Sequence, residues 1–530
     1  MTSIAAGAPR VAAVRSFVRS RRHRRWFDWY AVAFTVVLAV ILLSDVLADP
    51  FRRLTEPPGG SAAASAQAVA GGALVIGAAA GLLALMQALG PLALSPGDAS
   101  WLLLSPLDRG GVLRRPAATA AGLAALAGAV LGALALAMAG PYLHLRRGAH
   151  GVPWTWLVLA AVSGAGLMLA TVLAAVLAQP WKRRRARLRA ACAVVPAVAA
   201  AGALTGEHWT AVSRAITTGW ASLSAGPAGT TVAASVTAAA VVAAGSVALL
   251  VWRALPRFPA GVLRSESARA GRIVLAATFG NVALLTWIAE DSHWRGRLLP
   301  SRAWPRLPPA LALAWADWRR LARRPAALAV LAGSALAPAL AGAAVAAGQA
   351  RGVVTAAVLL AGAITAGVQG TAATRRDTND PALSRLLGVR PGAALAARAA
   401  LPALLAAAWL TLALVLLVFA GVLSGWWWPL LGPLAGPGVS AAALRIARTA
   451  PIDPGEKAPD TPLGPTPPWL VTRAISVLVG LAGAYPLLKA IRAGQVHGST
   501  FAAQAVVSGV VLGGYLLLAA SSGRPARGTS

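Results

Sequence analysis

The chain has one cysteine, Cys192, so no disulfide can form within it and no multi-cysteine metal site can be built. Cys192 sits in an apolar run and reads as a small packing residue. Charge is also scarce: 12% of the 530 residues are charged, with 16 acids against 48 bases. Lysine is nearly absent, at Lys182, Lys457 and Lys489, and none of the three completes G-x-x-x-x-G-K-[ST]. The chain therefore has no Walker loop to cradle ATP phosphates. The six histidines (His23, His144, His150, His208, His293, His497) are scattered without ligand spacing, so no metal site is expected. There is no H-E-x-x-H, no G-x-S-x-G elbow and no Cys/His pair, so neither an enzyme nor a resident cofactor is expected.

Apolar sequence fills the space. The chain is 58% hydrophobic, with mean hydropathy +0.67. A soluble domain cannot hide that much apolar surface behind a polar shell. Runs of about 20 residues nearly free of charge match the length of a membrane-spanning helix. The expected fold is all-α and polytopic, with about 12 spans: 30–48, 67–90, 117–140, 153–178, 190–205, 231–252, 326–349, 353–373, 401–423, 427–445, 468–488 and 500–520. An even number puts both termini on one side. Placing them in the cytoplasm gathers roughly 40 of the 48 basic residues into inside loops, as the positive-inside rule requires. The net charge of +32 is thereby a matter of topology and of contact with lipid, and nucleic acid is not expected as a partner. The stretch 271–289 is read as a cytoplasmic or interfacial helix, not a thirteenth span.

The chain divides into a first six-helix half (1–252), a basic cytoplasmic connector (253–310) and a second six-helix half (311–530). A shift of 282 residues overlays "DASWLLLSPLDRGGVLRRP" from Asp98 on "DPALSRLLGVRPGAALAAR" from Asp380. Asp98 then meets Asp380, Leu104 meets Leu386, Gly110 meets Gly392 and Leu113 meets Leu395. Each segment follows the second span of its half. A basic, aromatic stretch leads into each first span: "RSFVRSRRHRRWFDWY" and "ALAWADWRRLARRPAAL". This order of features implies a parallel internal repeat. All 16 acids fall in loops or near span ends. A carrier driven by ions usually keeps a carboxylate in the membrane interior, so an ion-driven secondary transporter is an alternative with less support. A membrane scaffold or lipid-modifying protein is another.

The loop 95–116 mixes an apolar block, Trp101 to Leu104, with Asp108, Arg109, Arg114 and Arg115, and Pro106 with Gly110-Gly111 marks turns. Its plainer reading is an interfacial helix whose arginines meet anionic lipid. The segment resembles the cytoplasmic loop of exporter-type ABC permeases: an acid, a Leu-rich stretch, "SP", a small hydrophobe, then basic residues. The basic segment before each first span resembles their elbow helix. The whole chain is similar to the actinobacterial branch in which two permease halves are fused without an ATPase domain. That resemblance implies two separate ATP-binding cassette subunits as partners and a plasma-membrane location. It also implies coupling helices at 98–115 and 380–398, with Asp98, Trp101, Leu104, Pro106, Asp108, Arg109 and Arg114 in the first. Asp380, Leu386, Arg390 and Leu395 belong to the second. The loop 205–230 would match an outside re-entrant element. The expected counterpart at 489–499 is too short for one, and "LLGVRPG" departs from the first half's "LLSPLDRG".

Overall fold

The structure is a computed structural model. It describes, with short gaps, residues 72–139, 154–181, 227–278, 305–379, 388–449 and 468–521. The chain forms two compact units, Met1–Thr278 and Phe279–Ser530. Apart from a two-residue pairing of Asp460–Thr461 with Gly464–Pro465, the described residues in secondary structure are helical.

The first unit contains α1 (Pro96–Trp101), α2 (Arg109–Ala139), α3 (Trp154–Ala178), α4 (Pro227–Ala254) and α5 (Ala260–Thr278). Helix α2 packs on α3, and α3 on α4. Small residues let these backbones touch. A Cβ on Gly128 would collide with the Gly164 carbonyl oxygen, and one on Gly132 with that of Ala160. Gly128 and Gly132 are four apart on α2; Ala160 and Gly164 are four apart on α3. The outer faces stay apolar, with Leu123, Leu126 and Val130 exposed on α2.

The second unit contains α6 (Pro309–Ala322), α7 (Pro325–Ser334), α8 (Leu336–Ala344), α9 (Gln349–Gln369), α10 (Ala372–Asn379), α11 (Pro391–Phe419), α12 (Leu431–Arg448), α13 (Pro468–Gly483), α14 (Tyr485–Ala493) and α15 (Gly498–Ser521). Its centre is α12, which packs on α9, α11, α13 and α15. Close approach again depends on glycine: a Cβ on Gly436 would sit 2.6 Å from Ala407 of α11, and one on Gly483 2.6 Å from the Gly438 backbone of α12.

Among the described residues, eight helices are long and apolar enough to cross a membrane, or nine if α13 and the bent α14 form one span. This is the surface of a multi-pass helical membrane protein. The expected runs 30–48 and 190–205 lie outside the described residues, as do 279–289 of the stretch 271–289. Residues 271–278 end α5, which is not among the candidate spans. Within the expected run 67–90, the apolar helix is Val75–Ala84.

Two expected spans are broken, each at a proline. Pro338 cannot donate to the Ser334 carbonyl four residues before it, and the helix divides into α7 and α8 at Ala335. The Trp409 indole of α11 donates to the Leu331 carbonyl (3.1 Å) and to Ser334 Oγ (3.0 Å) at this break. That explains a buried tryptophan in mid-run, where an interfacial one would lie at a run end. At Pro486 the run 468–488 turns through 71° into α14. The fully buried Gln504 of α15 closes the gap. Its Oε1 accepts from the Leu487 N–H (3.0 Å) and its Nε2 donates to the Gly483 carbonyl (2.7 Å). Helix α14 thus joins the end of the expected span 468–488 to the first residues of the expected loop 489–499.

Gly164→Leu should drive α2 from α3 and cost about 1–3 kcal/mol by overpacking. It should lower the thermal midpoint of the detergent-solubilised protein, whereas Gly245→Ala, with open space around it, should leave the midpoint unchanged.

Candidate functional site: the loops before α2 and α11

In the first unit, α1 is a rigid part of its surroundings. Ser95 caps it by accepting from the Asp98 N–H (3.1 Å), and Pro96 fills the first helical position. Ala99 and Leu102 are buried in a core with Val112 and Leu113 of α2, Leu173 and Val176 of α3, Val251 of α4 and Leu263 of α5. Leu94 donates its N–H to the buried Ser267 of α5 (2.9 Å). The loop is thereby bolted to the ends of three candidate spans and to one amphipathic helix. Opposite this anchored face, Trp101 is 80% exposed and Leu104 67% exposed.

The other residues singled out in this loop divide by role. Asp108 accepts from the N–H groups of Gly110 (3.2 Å) and Gly111 (2.7 Å) and so caps α2. Arg114 stacks on Trp252 of α4, 4.6 Å from the ring centroid. Arg109 is exposed in the first turn of α2, and Pro106 lies outside the described residues.

In the second unit, the short helix before α11 is α10; the residues that the 282-residue overlay sets against α1, 378–383, lie outside the described residues from 380 onward. Asp380 and Leu386 lie outside the described residues. Arg390 is exposed at the N-cap of α11, and Leu395 is half-buried within its first two turns. Helices α2 and α11 begin at Arg109 and Pro391, 282 residues apart, and Gln87 and Gln369 carry the same separation. Each glutamine lines a small cleft in its own unit.

The second loop is held by charge. Arg398 of α11 donates through Nη1 to Asp317 Oδ1 of α6 (2.6 Å) and through Nε to Asp377 Oδ2 of α10 (3.0 Å). One guanidinium thus joins the helix before the first span, the loop helix and the start of the third span. Asp317 is 6% exposed, and burial pushes its carboxyl up to about 6, against the pull of Arg398. The sequence reading missed this cluster, although a signal existed. Leu313, Asp317 and Leu321 share one face of α6 at four-residue spacing and are all buried, so the acid sits on the apolar stripe.

The helices, their close glycine contacts and their apolar outer surface define a polytopic membrane protein. Residues 63–455 match DUF6297, a family of unknown function, and the chain belongs to that family. No curated protein and no solved structure matches it. No group of histidine, cysteine and acidic residues that could hold a metal occurs among the described residues.

Arg398→Met would strand the buried Asp317 carboxyl and the half-buried Asp377 and should cost about 3–5 kcal/mol, read as a fall in thermal midpoint. The pH dependence has a defined sign. Asp317 holds its proton more tightly folded (about 6) than in its ordinary state (3.8), so folding takes up a proton in that window. Its contribution to stability is complete below 3.8 and lost as pH rises through 6. Wild type should therefore gain stability, relative to Asp317→Asn, between pH 7.5 and pH 5 in a melting series.

Proposed function

We propose that this protein is the membrane-spanning subunit of an ATP-driven transporter of the exporter type, energised by two separate ATP-binding subunits. The observation that carries the reading is the pair of loops. One precedes α2 and bears α1, the other lies between α9 and α11 and bears α10, each short helix is fixed to neighbouring helices, and α2 and α11 start 282 residues apart. A membrane subunit without an ATP site can use hydrolysis only if a rigid protrusion meets the motor and passes its displacement to the spans. An apolar tip such as Trp101 and Leu104, on a base packed against α2, α3 and α4, meets that requirement.

The count of 12 spans belongs to the same reading. It takes the eight single helices, the bent pair α13–α14, and the runs 30–48, 67–90 and 190–205. With the termini in the cytoplasm and the protein in the plasma membrane, the loops at 90–108 and 370–390 face the cytosol and α14 lies near the outer surface. The helix order supports this. Gly352, at the start of α9, lies against the Arg492 backbone in α14, at the opposite end of α9 from Gln369. ATP-driven closure of the partners would push both loops and rock one half against the other. The buried Asp317 does not favour an ion-driven carrier, because α6 is not among the candidate spans.

The test is affinity purification of the full chain from its own cells in mild detergent. An ATPase carrying a Walker A loop should co-purify and be lost with Leu104→Arg, while the variant keeps the wild-type thermal midpoint. A protein that purifies alone and still sustains its cellular activity would refute the assignment.

A further inference from the structure

Helix α14 carries two unlike faces. Leu487, Leu488, Ala490 and Ile491 are buried in the unit, whereas Tyr485, Lys489 and Arg492, spaced i, i+4, i+7, form one exposed stripe. The helix is bent 71° from α13, so it runs closer to the membrane plane than a span does. Its depth follows from its contacts. The Leu487 N–H is held by Gln504, six residues inside α15, and the backbone of Arg492 meets Gly352, three residues inside α9. At 1.5 Å per residue, α14 lies roughly 5–9 Å below the ends of those two helices. An amphipathic helix at the boundary of headgroups and acyl chains is sunk by about 5–10 Å. Trp426 and Trp427, in the connection from α11 to α12 at the same end of the unit, are exposed, as tryptophans at headgroup level are.

The charge at this end of the unit has one sign. Helix α14 and the connections 345–348, 420–430 and 494–497 contain no aspartate or glutamate. Arg351, in the first turn of α9, donates Nε to the Val345 carbonyl (2.9 Å) and adjoins the contact of Gly352 with Arg492. A cation in the first turn of a helix meets the positive end of its dipole. Arg351, Lys489 and Arg492 make no ion pair among the described residues. Lys489 and Arg492 stand three residues apart, which sets their Cβ atoms about 5–6 Å from each other on one helix face. Cations gathered at headgroup depth without a carboxylate are complementary to an anion, and the anion a bilayer supplies at that depth is a lipid phosphate.

We propose that the exposed stripe of α14 is a docking surface for an anionic phospholipid of the bilayer, its phosphate on Lys489 and Arg492 and its glycerol region beside Tyr485, at the deeper end of the helix. A guanidinium and an ammonium together suit a phosphate, the first as a fork and the second as a point charge. A zwitterionic headgroup brings an ammonium of its own, for which this end of the unit has no carboxylate, so a headgroup of net negative charge is preferred. The surface is independent of the transport reading and would stand if no ATPase associates.

The experiment uses the full-length protein, purified in mild detergent and exchanged into nanodiscs of phosphatidylcholine containing small, equal amounts of phosphatidylglycerol and phosphatidylethanolamine. Lipid that survives delipidation is counted by native mass spectrometry. Wild type should hold its last phosphatidylglycerol about fivefold more often than phosphatidylethanolamine. Lys489→Gln with Arg492→Gln should cut that retention about fivefold and leave the thermal midpoint in detergent unchanged, because both side chains are exposed. Lys489→Arg with Arg492→Lys, which keeps both charges, should retain the lipid as wild type does. Arg257→Gln with Arg264→Gln, at two exposed cations of the first unit, should leave retention unchanged. Retention unmoved by the α14 glutamine pair, lost with the charge-conserving pair, or cut equally by the first-unit pair would overturn the proposal. Glycerol phosphate binding as tightly as the lipid, or a homodimer that the α14 glutamine pair dissociates, would overturn it too.

Discussion

Every polar group that leaves the helical hydrogen-bond ladder in so apolar a chain must find a partner inside the protein, because hydrocarbon offers none. The second unit is arranged around that requirement. Where Pro338 interrupts a helix, Trp409 supplies an indole N–H. Where Pro486 does so, the amide of Gln504 donates at one side of the break and accepts at the other. Where chain segments converge at the start of α11, Arg398 serves two carboxylates. Each partner comes from a helix other than the one whose groups it serves, so each repair is also a tertiary tie.

The two units fix the same kind of loop by different means. In the first, Ala99 and Leu102 enter a hydrophobic core beside Leu113, Leu255, Phe258 and Leu263. In the second, the fastening is ionic, through Asp317, Asp377 and Arg398. An apolar core tolerates small shifts, whereas a bidentate guanidinium fixes distance and angle. The loops are thus alike in place and unlike in stiffness and pH response, since only the second depends on a carboxyl pushed up to about 6.

Length and apolarity made the helices legible. The runs 117–140, 153–178, 231–252, 353–373, 401–423, 427–445 and 500–520 each fall on a helix fit to cross a membrane, because span length follows from bilayer thickness and rise per residue. The starts of α2 and α11 lie 282 residues apart, the offset that sets Asp98 against Asp380 in the sequence. Roles within the loop were not legible. Asp108 and Arg114 look like charges held out to a partner, yet one caps α2 and the other stacks on Trp252. A charge in a list of residues has no direction until its neighbours are placed.

What the sequence settled alone was class: a helical, multi-pass chain with no phosphate-binding loop and little interior charge. Those properties are sums over composition and periodicity, and no contact between distant residues alters them. What only the tertiary structure decided was partnership. Asp317 and Arg398 are separated by 81 residues and meet at 2.6 Å, and Gln504 reaches back to close a break 17 to 21 residues away. Such pairings depend on how helices cross, which glycines at 128, 164, 436, 438 and 483 permit by letting backbones touch. Crossing geometry is a property of surfaces in contact, and a linear pattern does not carry it.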